Sequence, residues 1–338
     1  YFDTIVCGET AGGRFFPLRQ YGAADRYGRL RVPISKIRDR SYAMKKVLGN
    51  KWYIFLLSAP ALILLAAFVV YPIFNIVVMS LQKTNGLTPP EWIGLENFKT
   101  LLQDEAFIRA NLASLGLCLL AVLCNAVLAI IVSILLCTLG PRTQKILRTA
   151  FVIPLVLSIS VISQLWLTIY HADWGLLNYF LKMIGLGFLQ NEWLINPKTA
   201  MICIAIVGMW WMFGMDLLMS YSGIKAIPES YFEAAQLDGA GFFNTVRYIT
   251  LPLLRDVAKT CVTVSAIGGL FTFPQVFIMT GGGPGDLTQT VMMYMYRQAF
   301  SNQRYGMASA VGILVIAETC VVLGGIGWLF RQGKYRED

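Results

Sequence analysis

Residues Glu233 to Pro252 read Glu-Ala-Ala-Gln-Leu-Asp-Gly-Ala-Gly-Phe-Phe-Asn-Thr-Val-Arg-Tyr-Ile-Thr-Leu-Pro. This stretch is polar and lies between two long apolar runs. A hairpin of this kind has little reason to interrupt a lipid-embedded chain unless something docks on it. Ser230-Tyr231-Phe232-Glu233 matches a capping box, with Ser230 as N-cap and Glu233 at N3. The helix through Ala234, Ala235, Gln236 and Leu237 then ends at Gly239, whose backbone is permissive. A second helical piece from about Phe242 to Thr250 closes before Pro252, because a proline disfavours helix in the residue preceding it. Two short helices at an angle, with Ala234 and Ala235 allowing close approach, form a knob that fits a cleft on another protein. The residues alone leave a blander reading open, a capped loop in which Glu233 serves only the cap.

Outward from the hairpin the chain is built for lipid. Hydrophobic residues make up 56% and charged residues 14%, against about a quarter charged in soluble domains, and the mean hydropathy is +0.60. A helix needs roughly 20 apolar residues to cross the hydrocarbon core. Six segments reach that length: Trp52–Leu81, Leu112–Leu139, Thr149–Tyr170, Thr199–Gly223, Val257–Thr280 and Tyr305–Phe330. Lipid cannot satisfy backbone groups, so these are expected as helices. The two-residue alternation of transmembrane strands is missing. The expected class is an all-α integral membrane protein with six transmembrane helices.

Lys and Arg set the orientation. Lys36, Arg38, Arg40, Lys45, Lys46 and Lys51 precede the first span, and Arg142, Lys145 and Arg148 follow the second. Lys225, Arg247, Arg255 and Lys259 follow the fourth, and Arg331, Lys334 and Arg336 the sixth. Both termini are therefore expected in the cytoplasm. This asymmetry accounts for the net charge of +9 without nucleic acid as a partner. The seven cysteines are spaced too irregularly for a metal site or a disulfide framework. His171 is the one histidine, which excludes a His-rich metal centre and disfavours a Ser-His-Asp triad. No Gly-x-x-x-x-Gly-Lys-Ser/Thr occurs, so the chain is not expected to hydrolyse ATP itself. No catalytic residue, metal ligand or bound cofactor is expected.

Residues 1–43 are polar and rich in Gly and Arg, without a signal-peptide pattern. Met44-Lys45-Lys46 reads as a start, which leaves the first 43 residues as an extension, expected to be disordered. Residues 44–111 then hold the first span and an outer loop. That loop (Gln82 to Ala110) and the loop from Trp174 to Lys198 mix apolar and polar residues at helical spacing, as short surface helices do. Thr280-Gly281-Gly282-Gly283-Pro284-Gly285 reads as a tight turn after the fifth span.

The hairpin resembles the "EAA" loop of ABC-importer permeases, which carry Glu-Ala-Ala, three residues, Gly, nine residues, Ile, one residue, Leu-Pro. Glu233-Ala234-Ala235, Gly239, Ile249 and Leu251-Pro252 fit that spacing without a gap. Trp92 to Phe98, Ile153-Pro154, Trp193 to Pro197, Ile227-Pro228-Glu229, Leu237 to Ala240, Thr280 to Pro284 and Tyr294-Met295-Tyr296 are similar to the sugar-importer branch, the maltose and glycerol-phosphate type. So are Ala299-Phe300 and Tyr305-Gly306. The likeness spans about Met44 to Lys334 and is greatest to the first permease of the pair, whose fifth span ends in Gly-Gly-Pro.

The resemblance implies a type I ABC importer permease fold, with a transmembrane core over 112–330, a cytoplasmic coupling loop over 223–256 and a tail over 331–338. It implies a second permease subunit in a pseudo-twofold pair, an ATPase dimer that uses ATP, and an extracytoplasmic solute-binding protein that delivers a sugar. ATP binding would close the ATPase dimer, draw the hairpins together and open the pore outward. Such a shift requires differential contact between two states. Glu233, Ala234, Ala235, Gly239, Ile249, Leu251 and Pro252 are the expected coupling residues.

The family's sugar contacts lie on the fourth and fifth spans, here Gly208 to Asp216 and Gly268 to Phe273. The family's Asn- and Tyr-rich pattern is absent there, so Trp211, Met215, Asp216, Gly269, Thr272 and Phe273 stand as candidates. Trp210 and Trp211 either line the route or pack between helices. Asp216 and Glu318 are acids inside spans, a costly placement that marks function by default; Asp216 is a substrate contact or a structural pair, and Glu318 is expected to bridge helices. Two other cargo and energy schemes stay open: glycerol phosphate or another small solute, and an ATP-independent facilitator. A phosphate cargo favours a basic residue in the pore, and no Lys or Arg lies well inside a span.

Overall fold

In the computed structural model, residues 51–331 are described. The extension over 1–43 and the tail after Arg331 lie outside them. The chain divides into a unit ending at Phe74 and a unit from Asn75 onward.

The first unit holds α1 (Lys51–Leu65), a wide π turn (Ala66–Val70) and the start of α2 (Tyr71–Ser80). From Trp52 onward its sequence is almost wholly apolar, and Ile54–Ser80 is long enough to cross a bilayer.

The second unit opens with a two-stranded ribbon, β1 (Gln82–Lys83) and β2 (Glu91–Trp92), in the register Gln82↔Trp92 and Lys83↔Glu91. α3 (Glu96–Gln103) follows. The sequence pattern placed this helix on the membrane surface, but its inner face is buried. Asn97 donates to the carbonyls of Ser80 (2.8 Å) and Gln82 (3.0 Å), satisfying backbone that the end of α2 leaves free. Leu101 is buried with Phe107, Val291, Tyr294 and Val311. Asp104 caps α4 (Glu105–Ala121) by accepting from the Ala106 amide at 2.8 Å, and it also receives the Tyr294 hydroxyl at 2.6 Å. Burial first, then this bond, holds the Tyr294 phenol above its ordinary pKa.

α4 passes through a π turn (Val122–Val127) into α5 (Leu128–Cys137), giving one span, Glu105–Cys137. The third apolar segment departs from expectation. It is not one straight helix but two, α6 (Pro141–Val156) and α7 (Ile159–Ile169), bent by 100°. Pro154 weakens the last turn of α6. Leu157 is extended (ψ 148°), and the Ser158 hydroxyl restarts the helix by accepting from the Val161 amide at 3.3 Å. The Trp211 indole donates to the Leu157 carbonyl at 3.1 Å, which satisfies backbone freed by the bend.

After α8 (Leu176–Met183) the loop is organised by buried Asn178, which donates to the Ala172 and Asn191 carbonyls and accepts from the Trp193 indole at 2.7 Å. α9 (Ala200–Lys225) is the central span and packs against α5, α6 and the later helices. Its Gly214 lies against α6, where a Cβ would meet the Phe151 carbonyl oxygen at 2.4 Å.

The hairpin follows, and then α13 (Arg255–Leu270), α14 (Pro274–Met279), α15 (Val291–Tyr296) and α16 (Tyr305–Leu329). The fifth segment, read as continuous, is interrupted at Phe271–Phe273, since Pro274 starts a new helix. The Thr272 carbonyl at this break accepts from Thr290 Oγ1 at 2.8 Å. The Gly-rich turn after α14 carries positive φ at Gly281, Gly282 and Gly285. It is clamped by Arg297, which donates to the Gly281 carbonyl at 2.7 Å and pairs with Asp286. Counting the bent pair as one span gives six candidate spans among the described residues. Acidic Glu318 of α16 faces Asn111 of α4.

Candidate functional site

The hairpin is two short helices joined by a tight turn. α10 (Glu229–Leu237) begins after Pro228, which is extended at ψ 137°. The capping box therefore does not form. Ser230 is already helical and makes no cap bond, because the helix starts two residues earlier, with Pro228 at the N-cap position. Gly239 ends the helix as its sequence position required. It has φ +71°, its amide donates to the Gln236 carbonyl (3.1 Å), and the Ala240 amide donates to the Ala235 carbonyl (2.9 Å). This pair of bonds is the Schellman ending.

The second arm does not stop before Pro252. α11 (Phe242–Thr245) runs through a π turn (Val246–Thr250) into α12 (Leu251–Leu253). The widened turn relieves the crowding between the proline ring and the preceding helical carbonyls, so the helix passes the proline. Ala235 is buried, whereas Glu233, Ala234, Gly239, Leu251 and Pro252 are exposed and Ile249 is half-buried. Ser230, Ala234, Asp238, Asn244, Tyr248 and Ile249 are among the residues lining a groove of about 510 Å³ between the arms. The tip is apolar: Leu237 is 90% and Phe243 83% exposed. At the root, the Tyr221 hydroxyl donates to Gln144 (2.7 Å), Gln144 donates to the Leu139 carbonyl (2.7 Å), and Arg148 stacks over the Tyr221 ring. These contacts join the start of α6 to the end of α9.

The second site is a cavity of about 60 Å³ between α4, the following π turn, α9 and α13. Of the six pathway candidates, Trp211, Gly269 and Thr272 line it. Met215, Asp216 and Phe273 do not. Met215 is exposed on another face of α9. Phe273 packs against Phe277 and Tyr296. Asp216 is fully buried, and Ser265 Oγ donates to its Oδ2 at 2.5 Å, linking α9 to α13 behind the cavity wall. Trp210 packs edge-on against Trp166. Gly269 has a packing role as well, since its added Cβ would meet Cys118 Cα at 2.5 Å.

Sequence reading overlooked two residues here. Asn125 and Gln275 line the same cavity, are 3% and 6% exposed, and each has a side-chain oxygen without a hydrogen-bond partner. The signal was present: both are uncharged polar amides inside apolar spans. Asn125 lies on the π turn, a distortion frequent at functional sites.

Comparison with known proteins bears on both sites. Residues 127–332 match the model of the binding-protein-dependent transport system inner membrane component family. This chain belongs to that family. The permease is 33% identical to the probable ABC transporter permease protein YurN of Bacillus subtilis, over 84% of this chain and 98% of the relative. It is 33% identical to the sulfoquinovosyl glycerol transport system permease protein SmoG of Agrobacterium fabrum, over 80% and 87%. It is 26% identical to the trehalose/maltose transport system permease protein MalF of Thermococcus litoralis, over 84% and 94%. A chain in the crystal structure of a bacterial ABC transporter that imports alginate superposes with a TM-score of 0.74 at 23% identity, covering 87% of this permease and 99% of that chain. The fold is thus that of an ABC importer permease. The permease is a multi-pass membrane protein and a transport subunit.

Proposed function

We propose that this permease is the membrane-spanning subunit of an ATP-driven importer for a sugar or oligosaccharide, driven by a separate ATPase that docks on the Glu233–Pro252 hairpin. The observation that carries the reading is the hairpin itself. A rigid two-helix knob exposes Leu237 and Phe243 at its tip and opens a groove between its arms. Exposed apolar surface on a polar loop marks a protein contact. Several relatives are by name sugar transport permeases, which supports the cargo class. A second permease completes the pathway, and a solute-binding protein delivers the cargo; a solved neighbour was crystallised with an alginate pentasaccharide-bound periplasmic protein. ATP belongs to the ATPase, and this chain binds no cofactor. The Lys and Arg asymmetry supports a plasma membrane placement with both termini cytoplasmic.

Glycerol phosphate is the second reading, favoured by 26% identity to the sn-glycerol-3-phosphate transport system permease protein UgpA of Escherichia coli over 86% of this chain.

Replacing Glu233–Gly239 by a Gly-Ser linker in the assembled importer tests the coupling. The expected result is loss of ATPase co-purification and of uptake. Uptake that persists without the hairpin indicates an ATP-independent facilitator and refutes the proposal.

A further inference from the structure

Two cations converge on one aromatic ring where α5, α6 and α9 meet. The Arg148 guanidinium carbon lies 5.0 Å, and the Lys225 ammonium nitrogen 5.9 Å, from the centre of the Tyr221 ring. The ring is fixed from behind: Tyr221 is buried, and its hydroxyl donates to Gln144 of α6, which is buried too. Lys225 stands in the last turn of α9, is exposed, and lies near Cys137 at the end of α5. Neither cation has a carboxylate partner among the described residues. An aromatic face attracts a cation, but two like charges on one ring repel each other. An anion seated between them removes that repulsion.

The surroundings decide which anion. This is the end of the bundle that the Lys and Arg asymmetry assigns to the cytoplasm. One turn inward from Arg148, Phe151 packs against Phe213 of α9 with ring centres 5.3 Å apart, and Phe151 is still 37% exposed. The seam between α6 and α9 therefore carries cations at its outer edge and accessible aromatic surface directly inward of them. A free phosphate gains nothing from the aromatic part. A phospholipid uses both, with its headgroup at the cations and its acyl chains along the apolar wall. Basic pockets between spans on the cytoplasmic side suit such headgroups.

We propose that Arg148, Lys225 and Tyr221 form a binding site for the phosphodiester headgroup of an anionic phospholipid at the cytoplasmic end of the α6–α9 seam. Arg148 offers the planar donor fork that suits phosphate oxygens, and Lys225 adds a point charge. Tyr221 holds the two cations over a single spot. The bound headgroup neutralises their repulsion and tightens the junction between the start of α6 and the end of α9, the helix that leads into the hairpin. The site is independent of the cargo and of the ATPase.

The test takes the permease, purified with the subunits that accompany it, strips its lipid and titrates it with phosphatidylglycerol or phosphatidylcholine. Bound lipid is counted by native mass spectrometry. Tighter binding of phosphatidylglycerol is expected. Arg148→Gln and Lys225→Gln should each raise its Kd by about fivefold, and the double variant by about 25-fold. Lys225→Arg keeps the charge and should stay within about twofold. So should Arg142→Gln, which removes an exposed cation from the same end of α6 that has no ring partner among the described residues. Because Lys225 is exposed, its variant probes the site even where Arg148→Gln lowers stability. Equal binding of the two lipids, or an unchanged Kd in the double variant, overturns the proposal. An equal loss in Arg142→Gln means diffuse attraction and overturns it as well. Displacement of phosphatidylglycerol by excess inorganic phosphate means a free-anion site and overturns the lipid assignment. A double variant that loses an accompanying subunit while its lipid Kd holds assigns the cations to a protein contact, and the proposal fails.

Discussion

Gly239→Ala isolates what the turn of the hairpin contributes. Gly239 has φ +71°, and nothing lies within 4 Å of the position its Cβ would take. Alanine there meets no neighbour, so the whole effect is conformational. A left-handed residue bearing a Cβ costs about 1–2 kcal/mol. The alternative is to open the turn and forfeit the bonds from Gly239 and Ala240 to the Gln236 and Ala235 carbonyls, at about 0.5–1.5 kcal/mol each. The two costs are comparable, so a free hairpin relaxes by opening, and ATPase docking must close it again. The Kd for the ATPase is then expected to rise by about 5- to 30-fold. Gly239→Asn is expected to stay within about threefold, because asparagine tolerates this backbone region. The assay is ATPase binding to the permease in lipid nanodiscs by biolayer interferometry. A Kd unchanged by alanine refutes the reasoning, and so does asparagine doing as much harm as alanine.

Asn97→Asp keeps shape but removes both donors, leaving the Ser80 and Gln82 carbonyls unsatisfied; a stability loss of about 1–3 kcal/mol is expected, read as a lower thermal midpoint of the solubilised permease, whereas an unchanged midpoint contradicts the role given to this side chain. Asp216→Asn keeps an acceptor for Ser265 and lies behind the cavity, so import KM and assembly should both stay within about twofold. Asp216→Leu orphans the Ser265 hydroxyl and should lower assembly without raising KM; a raised KM in the asparagine variant would return Asp216 to the cargo pathway.

The helical membrane class and the placement of the spans were legible along the chain because lipid forces every long apolar run into a self-satisfied helix. The end of α10 at Gly239 was legible for a comparable reason: φ > 0 is a local demand that glycine meets. Reading failed where a local rule had a nearby competitor. Ser230 lost the cap to Pro228, and Pro252 did not end the second arm because a π turn upstream absorbed its ring. The 100° bend was half written in Pro154 and Ser158, but the Trp211 indole that holds its freed carbonyl is 54 residues away.

The cavity was decided by tertiary structure. The chain alone offered Trp211, Gly269, Thr272, Met215, Asp216 and Phe273 alike, and did not show that only the first three line the cavity. Which side of a buried helix faces a void depends on packing against other helices, and an all-apolar span carries no period that would reveal it. Asn125 and Gln275 line one cavity for that reason alone. That each amide is polar within an apolar span can be read along the chain, and only the packing of the π turn after α4, of α9, α13 and α14 brought both residues to one cavity, their oxygens without a donor.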